Sequence, residues 1–120
     1  MLPKAIGPYS LFRFSEARRM LFISGQLGID TESGQLATGI EQQTRRVMEN
    51  IKAILEANGL SMGDIIKTTI FLTNVEDFPK VNEIYSTYLS EPFPARTTVI
   101  VKALPKNALV EIEAIATATL

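Results

Sequence analysis

Apolar residues recur every three or four positions in two stretches of the chain, which is the spacing of one face of an α-helix. The first stretch covers residues 40–57, and the Asn-Gly pair that follows predicts where this helix ends. The second stretch covers residues 74–90, with Asp77 as a plausible N-cap and Pro79 in the first turn. The pattern therefore predicts two amphipathic helices.

Runs rich in β-branched and aromatic residues predict strands at 20–29, 64–73, 97–104 and 108–118. The first run is interrupted by Ser-Gly-Gln, so we expect a bend or bulge at Gly25. The short Pro-Lys-Asn segment between the last two runs predicts that they pair as a hairpin. Proline and glycine punctuate residues 3–10, which indicates an ordered loop or a short edge strand.

Counting the edge segment as a strand, the element order is β-β-α-β-α-β-β, which predicts an α+β fold. A mostly antiparallel sheet with two helices on one face fits this order. Side chains alternate between the faces of a strand. On this basis the last strand places Val110, Ile112, Ala114 and Ala116 on one face, and Leu109, Glu111, Glu113 and Ile115 on the other.

The 64–73 run carries apolar residues on both faces. Ile66, Ile70 and Leu72 are expected on one face, and Ile65 and Phe71 on the other. Since two helices cannot cover both faces of one sheet, the remaining apolar surface predicts an oligomer in which sheets pack together. The alternative is a half-exposed face with scattered apolar residues, which is common.

Composition narrows the possible chemistry. The chain has 120 residues, which fits one domain over 1–120, and its net charge of -1 argues against nucleic-acid binding. It contains no histidine and no cysteine, so catalysis must use carboxylates, hydroxyls, Lys, Arg, backbone groups or water. The sequence contains no residues with the spacing of a metal-binding loop or of a phosphate-binding loop. No apolar stretch has the length of a signal peptide or membrane span, so a cytoplasmic protein is expected.

Arg96 stands between a proline-marked turn and a β-branched run, in the segment PFPARTTVIV. The guanidinium fork is suited to clamping a carboxylate through two parallel hydrogen bonds. A structural ion pair at the start of the strand is the alternative, and spacing alone does not exclude it.

Four further positions are candidates for chemistry, each with a structural alternative. Glu111 lies among apolar neighbours, where a carboxylate needs a partner or is solvent exposed. Asn82 lies on the apolar stripe of the second helix, where its amide either holds a backbone group or faces a site. Tyr9 is either a packed aromatic or a hydroxyl presented to a cleft. Ser24 precedes a glycine at which another chain segment can approach closely.

Six stretches, taken together and in this order, resemble the Rid family of reactive intermediate deaminases, also called the YjgF family, and most closely its RidA subgroup. They are AIGPYS (5–10), FISGQLGID (22–30), NIKAIL (50–55), DFPKVNEIY (77–85), FPAR (93–96) and LPKNALVEIEAIA (104–116). The resemblance runs from about residue 4 to residue 118.

The resemblance implies a chorismate-mutase-like fold and a homotrimer with a central barrel and clefts between subunits. RidA-type members hydrolyse 2-imino acids, such as 2-iminobutanoate and 2-iminopropanoate, to 2-keto acids and ammonia. By position, Arg96 would be the carboxylate clamp and Glu111 would position or activate water. The substrate-binding residues would be Tyr9, Ser24, Gly25, Asn82, Arg96 and Thr98. Neither a cofactor nor a metal is implied.

Two departures from the family pattern stand near the site. Thr98 occupies a position where many RidA members have cysteine, so no thiol can act there. The loop before Phe93 is short, which leaves the shape of the cleft mouth and the preferred imine open. Two other functions remain as alternatives. One is an endoribonuclease, which the charge and the absence of histidine disfavour. The other is a trimer without catalysis that binds carboxylate metabolites or acts as a chaperone.

Overall fold

The computed structural model describes residues 4–5, 7–14 and 19–118. Six main elements follow in chain order: β1 (Arg19–Leu27), α1 (Gly39–Ala57), β2 (Ile65–Leu72), α2 (Phe78–Thr87), β3 (Ala95–Ile100) and β4 (Val110–Ala118). They form one four-stranded sheet and two helices, which confirms the predicted α+β class. Part of the 3–10 segment lies outside the described residues. In the described part only Ser10 pairs with the sheet, through an isolated bridge to Ala95.

The strands are ordered β1-β4-β2-β3 across the sheet. β4 is antiparallel to both of its neighbours, β1 and β2, whereas β2 and β3 are parallel. The predicted hairpin between the last two strands is therefore wrong, since β2 lies between them. Helix α2 connects β2 to β3, and such a crossover is the connection that parallel neighbours require.

One face of the sheet packs against both helices. Val110, Ile112, Ala114 and Ala116 of β4 are buried in a single core cluster with apolar side chains of both helices, as the alternation in β4 predicted. The assignment of Ile65 is corrected. A register irregularity between Ile65 and Lys67 places Ile65 in this core, although strict alternation had put it on the opposite face.

Within the described ranges, no helix packs against the opposite face. Phe22 on β1 is 69% exposed and Val99 on β3 is 39% exposed. Glu111 and Glu113 of β4 alternate with the buried core positions and therefore belong to this outer face. Self-association was predicted from apolar surface of this kind, and it stays a prediction.

Local signals fix the end of α1 and the start of α2, although α2 is shorter than the predicted 74–90 and β3 ends at Ile100 and not at residue 104. After α1, Gly59 adopts φ +74°, and the N–H of Leu60 donates to the Leu55 carbonyl, so the helix ends at the predicted Asn-Gly pair. Asp77 occupies the N-cap position of α2, but its side chain makes no capping hydrogen bond. Instead the Asn74 side chain caps the preceding 3₁₀ turn, accepting from the Glu76 N–H at 2.9 Å.

Neither α1 nor α2, nor any shorter helix in the described ranges, is long and apolar enough to cross a membrane.

Candidate active site

The Arg96 guanidinium lies in an aromatic enclosure at the edge of the sheet. Its central carbon is 5.2 Å from the ring centre of Tyr9, 5.6 Å from that of Phe78 and 5.3 Å from that of Tyr85. All three distances are within the range of a cation–π interaction. Arg96 Nη1 also donates to the Asn82 side-chain oxygen at 2.7 Å. Helix α2 thus holds the guanidinium through one amide and two aromatic rings.

The N-terminal loop supplies the third ring. The N–H of Ser10 donates to the Pro94 carbonyl at 3.0 Å, and the Ser10 hydroxyl donates to the Phe93 carbonyl. These bonds attach the loop to the turn directly before β3 and bring Tyr9 over the guanidinium. The proline-marked turn therefore positions both Arg96 and the ring that covers it.

The partners of Arg96 are neutral. Burial lowers the pKa of Arg96 from its ordinary value, while the neighbouring Tyr85 and Tyr9 raise it in part. Within the part of the chain that the structure describes, the ion pairs involve Arg45 and Lys80, and none involves Arg96. The sequence had left open that Arg96 makes a structural ion pair at the start of β3. Among the described residues of this chain it makes none.

A cavity of about 290 Å³ opens beside the guanidinium and is lined by Tyr9, Phe78, Arg96 and Thr98. Thr98 lies two residues after Arg96 on β3, so both side chains are on the same face. Its hydroxyl oxygen is buried and has no hydrogen-bond partner among the described residues. Since buried polar atoms are normally paired, Thr98 at the cavity wall has a hydrogen-bonding group whose need the described residues leave unmet.

Glu111 lies elsewhere in the chain, against the bulge in β1. The register of β1 on β4 shifts between Ile23 and Gln26, which confirms the predicted bulge at Gly25. A Cβ placed on Gly25 would be 1.9 Å from a carboxylate oxygen of Glu111 and 2.8 Å from its carboxyl carbon. The absence of a side chain at Gly25 is therefore what makes room for the Glu111 carboxylate.

The structure divides the candidate residues into two groups. Tyr9, Asn82, Arg96 and Thr98 meet around one cavity, on the side of the sheet that α2 covers. Gly25 and Glu111 meet on β1 and β4, and Glu111 belongs to the uncovered face. The two groups do not form one site within a single chain.

Ser24 lies with the second group, on the outer face. It lines a different cavity, of about 430 Å³, together with Lys67 and Glu113. This is the larger of the two cavities, but it contains neither Arg96 nor Glu111. We place the candidate chemistry at Arg96 because the half-buried guanidinium and the unpaired Thr98 hydroxyl are both there.

Two residues of the enclosure, Phe78 and Tyr85, belong to the apolar stripe of α2 and were not among the predicted site residues. They lie four residues before and three residues after Asn82, which is the spacing of neighbours on one helix face. Once Asn82 is identified as a contact of Arg96, this spacing is the signal that indicates both rings.

The described residues contain no cluster of three or more Asp, Glu, His or Cys side chains that could hold a metal ion.

The sequence matches the family model described as Endoribonuclease L-PSP over residues 2–118. It is 53% identical over 115 residues to a RutC family protein of Pyrococcus horikoshii, covering 95% of this chain and 90% of that protein. It is 44% identical over 117 residues to the 2-iminobutanoate/2-iminopropanoate deaminase of Salmonella typhimurium, covering 95% of this chain and 90% of that protein.

Solved structures that are similar to this chain in sequence and fold include members of the same family. The crystal structure of RidA from the Antarctic bacterium Psychrobacter is 46% identical with a TM-score of 0.82, covering 97% of this chain and 93% of that chain. That of Escherichia coli TdcF with bound serine is 42% identical with a TM-score of 0.81, covering 98% of this chain and 93% of that chain. With this match in sequence and fold along nearly its whole length, the chain belongs to the Endoribonuclease L-PSP family, which is the Rid family that its motifs resemble.

Proposed function

We propose that this protein hydrolyses small 2-imino acids, such as 2-iminobutanoate and 2-iminopropanoate, to 2-keto acids and ammonia. The proposed site lies between two subunits of a homotrimer with a central barrel. One subunit supplies the cavity beside Arg96, with Tyr9, Asn82 and Thr98, and its neighbour supplies Glu111 at the Gly25 bulge together with Ser24.

The observation that carries the proposal is the environment of Arg96. A half-buried guanidinium whose described partners are an amide and three rings keeps its full positive charge uncompensated. Bringing a carboxylate into this cavity would replace the lost hydration of the guanidinium with a charge-assisted hydrogen bond. Asn82 accepts from Nη1, and no hydrogen bond from Nη2 is seen among the described residues, so Nη2 can donate to the carboxylate of the substrate.

The residues fit the chemistry of imine hydrolysis. Water adds to the electrophilic carbon of the protonated C=N group to give a carbinolamine. As its C–N bond breaks, the electron pair of the hydroxyl O–H bond forms the C=O bond of the keto acid, and the released ammonia takes up the hydroxyl proton to become ammonium. In our proposal the Glu111 carboxylate takes a proton from the attacking water and returns it to the leaving nitrogen. Thr98 hydrogen-bonds to the bound acid.

The separation of the two residue groups supports a site between subunits. Arg96 faces the α2 side of the sheet and Glu111 belongs to the outer face, so one chain cannot present both to one small molecule. An oligomer packed through the outer face would bring Glu111 of one copy towards the sheet edge of another. The deaminase names carried by relatives at 40–44% identity favour this reaction over ribonucleolysis.

The test generates the imine with a threonine dehydratase and follows formation of 2-ketobutanoate. We expect Glu111→Gln to lower kcat by about 10²- to 10⁴-fold, because it removes the proton acceptor. We expect Arg96→Ala to raise KM by about 10- to 100-fold, because it removes a charge-assisted hydrogen bond. Exposed residues of the same types, in Arg45→Ala and Glu56→Gln, serve as controls.

A wild-type protein that does not accelerate imine hydrolysis would contradict the proposal, as would unchanged kinetics in Arg96→Ala. If the protein only binds carboxylates, the wild type will bind 2-ketobutanoate without turnover. Glu111→Gln distinguishes the enzyme, because it should still bind 2-ketobutanoate after its turnover is lost.

A further inference from the structure

A buried pair of hydroxyl groups lies beneath the Arg96 guanidinium. The phenolic oxygen of Tyr85 is 2.7 Å from the hydroxyl oxygen of Thr68, and both residues are almost fully buried, with exposures of 0% and 2%. The two residues come from different elements, α2 and β2. Such a buried hydrogen bond joins the helix to the sheet at a single point.

The position of this pair is defined by the sheet register. Thr68 is the residue of β2 that lies opposite Arg96 of β3 in the parallel ladder. The Tyr85 ring reaches from α2 towards Thr68, and its centre is 5.3 Å from the guanidinium carbon. The hydrogen bond to Thr68 therefore fixes the ring directly beside the charged group.

We propose that Thr68 and Tyr85 are positioning residues for Arg96, with the Thr68 hydroxyl fixing the Tyr85 ring as a rigid support for the guanidinium. This inference rests on the proposed function insofar as Arg96 binds the substrate carboxylate. Neither Thr68 nor Tyr85 lines the cavity beside Arg96, so both act through the arginine.

Two constraints together leave the guanidinium little freedom. Asn82 holds Nη1 through a hydrogen bond, and the Tyr85 ring lies 5.3 Å from the guanidinium carbon. An arginine side chain has many rotamers, and fixing them before the ligand arrives lowers the entropic cost of binding. Burial raises the pKa of Tyr85, so the phenol stays protonated at neutral pH and the hydrogen bond to Thr68 is retained.

The experiment compares Thr68→Val, Tyr85→Phe and the double variant. Each single change removes one hydroxyl of the pair and keeps the shape of the side chain. The probe is 2-ketobutanoate, whose Kd is measured by calorimetric titration, and the kinetics are measured with the imine. A second readout is the side-chain NMR signal of Arg96, whose Nε–Hε order reports how firmly the guanidinium is held.

The matched control is Thr44→Val. Thr44 is also fully buried, and its hydroxyl donates to the Ile40 carbonyl at 2.7 Å on α1. This variant also removes the hydroxyl of a threonine that is as buried as Thr68, but Thr44 does not line the cavity beside Arg96. It therefore measures the purely structural effect of such a loss.

We expect each single variant to raise the Kd of 2-ketobutanoate and KM about 2- to 10-fold, the range of one hydrogen bond. We expect kcat to stay within about 2-fold and the order of the Arg96 signal to fall. Both single variants remove the same hydrogen bond. The Kd of the double variant should therefore be no higher than that of the single variant that binds 2-ketobutanoate more weakly. Thr44→Val should change none of these quantities.

The proposal is overturned if Thr68→Val and Tyr85→Phe lower the melting temperature as Thr44→Val does but leave both Kd and the Arg96 signal at wild-type values. Failure of the proposed function is a separate result. A wild-type protein without imine hydrolysis would overturn the enzymatic role, and the order of the Arg96 signal would still decide the positioning role.

Discussion

Replacing Gly25 with alanine should lower kcat about 100-fold while leaving the fold intact. The added Cβ would lie 1.9 Å from a carboxylate oxygen of Glu111, whereas ordinary van der Waals contact begins at 3.4 Å. The oxygen must therefore move by about 1.5 Å, which is the difference between these distances. A displacement of about 1 Å in a reacting group costs on the order of 10²-fold in rate, or about 2.7 kcal/mol.

The backbone can accept alanine at this position. The described glycines with positive φ are Gly34, Gly39 and Gly59, so Gly25 needs no left-handed conformation. The clash is with a half-buried side chain that can rotate, which is why we expect lost activity and not lost stability. The melting temperature should stay close to that of the wild type.

The assay is 2-ketobutanoate formation from enzymatically generated imine, with Gly63→Ala as the matched control. A Cβ on Gly63 would have its nearest neighbour, the Ser61 hydroxyl oxygen, at 3.7 Å. Gly25→Ala is also made in the Glu111→Gln background. There it should cause little further loss, because the carboxylate that it displaces is already disabled.

Two results would refute this reasoning. One is a Gly25→Ala protein that is folded and has a kcat within about 2-fold of the wild-type value. The other is an equal loss in the Glu111→Gln background, because the alanine would then act through some group other than Glu111.

Three other substitutions test separate features. Gly28→Ala should destabilise the protein by about 1–3 kcal/mol in urea unfolding, because its Cβ would lie 2.7 Å from backbone atoms of Gln43; an unchanged midpoint would contradict this. Asn82→Ala should raise the Kd of 2-ketobutanoate about 10-fold, because it frees Arg96 Nη1; wild-type affinity would show that the amide is dispensable. Hydrogen bonds from two backbone N–H groups lower the pKa of Asp30 below 3.8. As the pH falls, the Asp30 carboxylate therefore takes up a proton in the unfolded chain at a higher pH than in the folded chain. The contribution of Asp30 to stability is lost as the pH falls from 3.8 through its lowered pKa. Asp30→Asn should lose less stability than the wild type between pH 5 and pH 3, and equal losses would count against this assignment.

The elements were predictable where one local signal decided the outcome. The 3.6-residue period and the Asn-Gly pair gave α1 nearly to the residue, and the Ser-Gly interruption gave the bulge in β1. The hairpin prediction failed because strand pairing is not a local property. A strand–helix–strand order over residues 65–100 favours a parallel pair. Accordingly, β3 pairs with the outer edge of β2 and does not pair with β4.

The candidate site could be predicted residue by residue but not as an arrangement. Alternation in β4 put Glu111 on the face away from the core. Sequence reasoning also named Arg96 and Asn82, but it could not show that these two meet on the opposite side of the sheet. The face of each side chain depends on the register and on the bulges in β1 and β2. The role of Tyr85 was missed for a similar reason, since a buried aromatic on a helix stripe is the usual sign of core packing.

The separation of Arg96 and Glu111 on opposite faces has a genetic consequence. In the proposed trimer each site takes its arginine from one chain and its glutamate from another. When an Arg96→Ala chain and a Glu111→Gln chain are made together and assemble at random, about a quarter of the sites receive both intact residues. Two inactive alleles should therefore complement each other in one cell, whereas either allele expressed alone gives no such recovery.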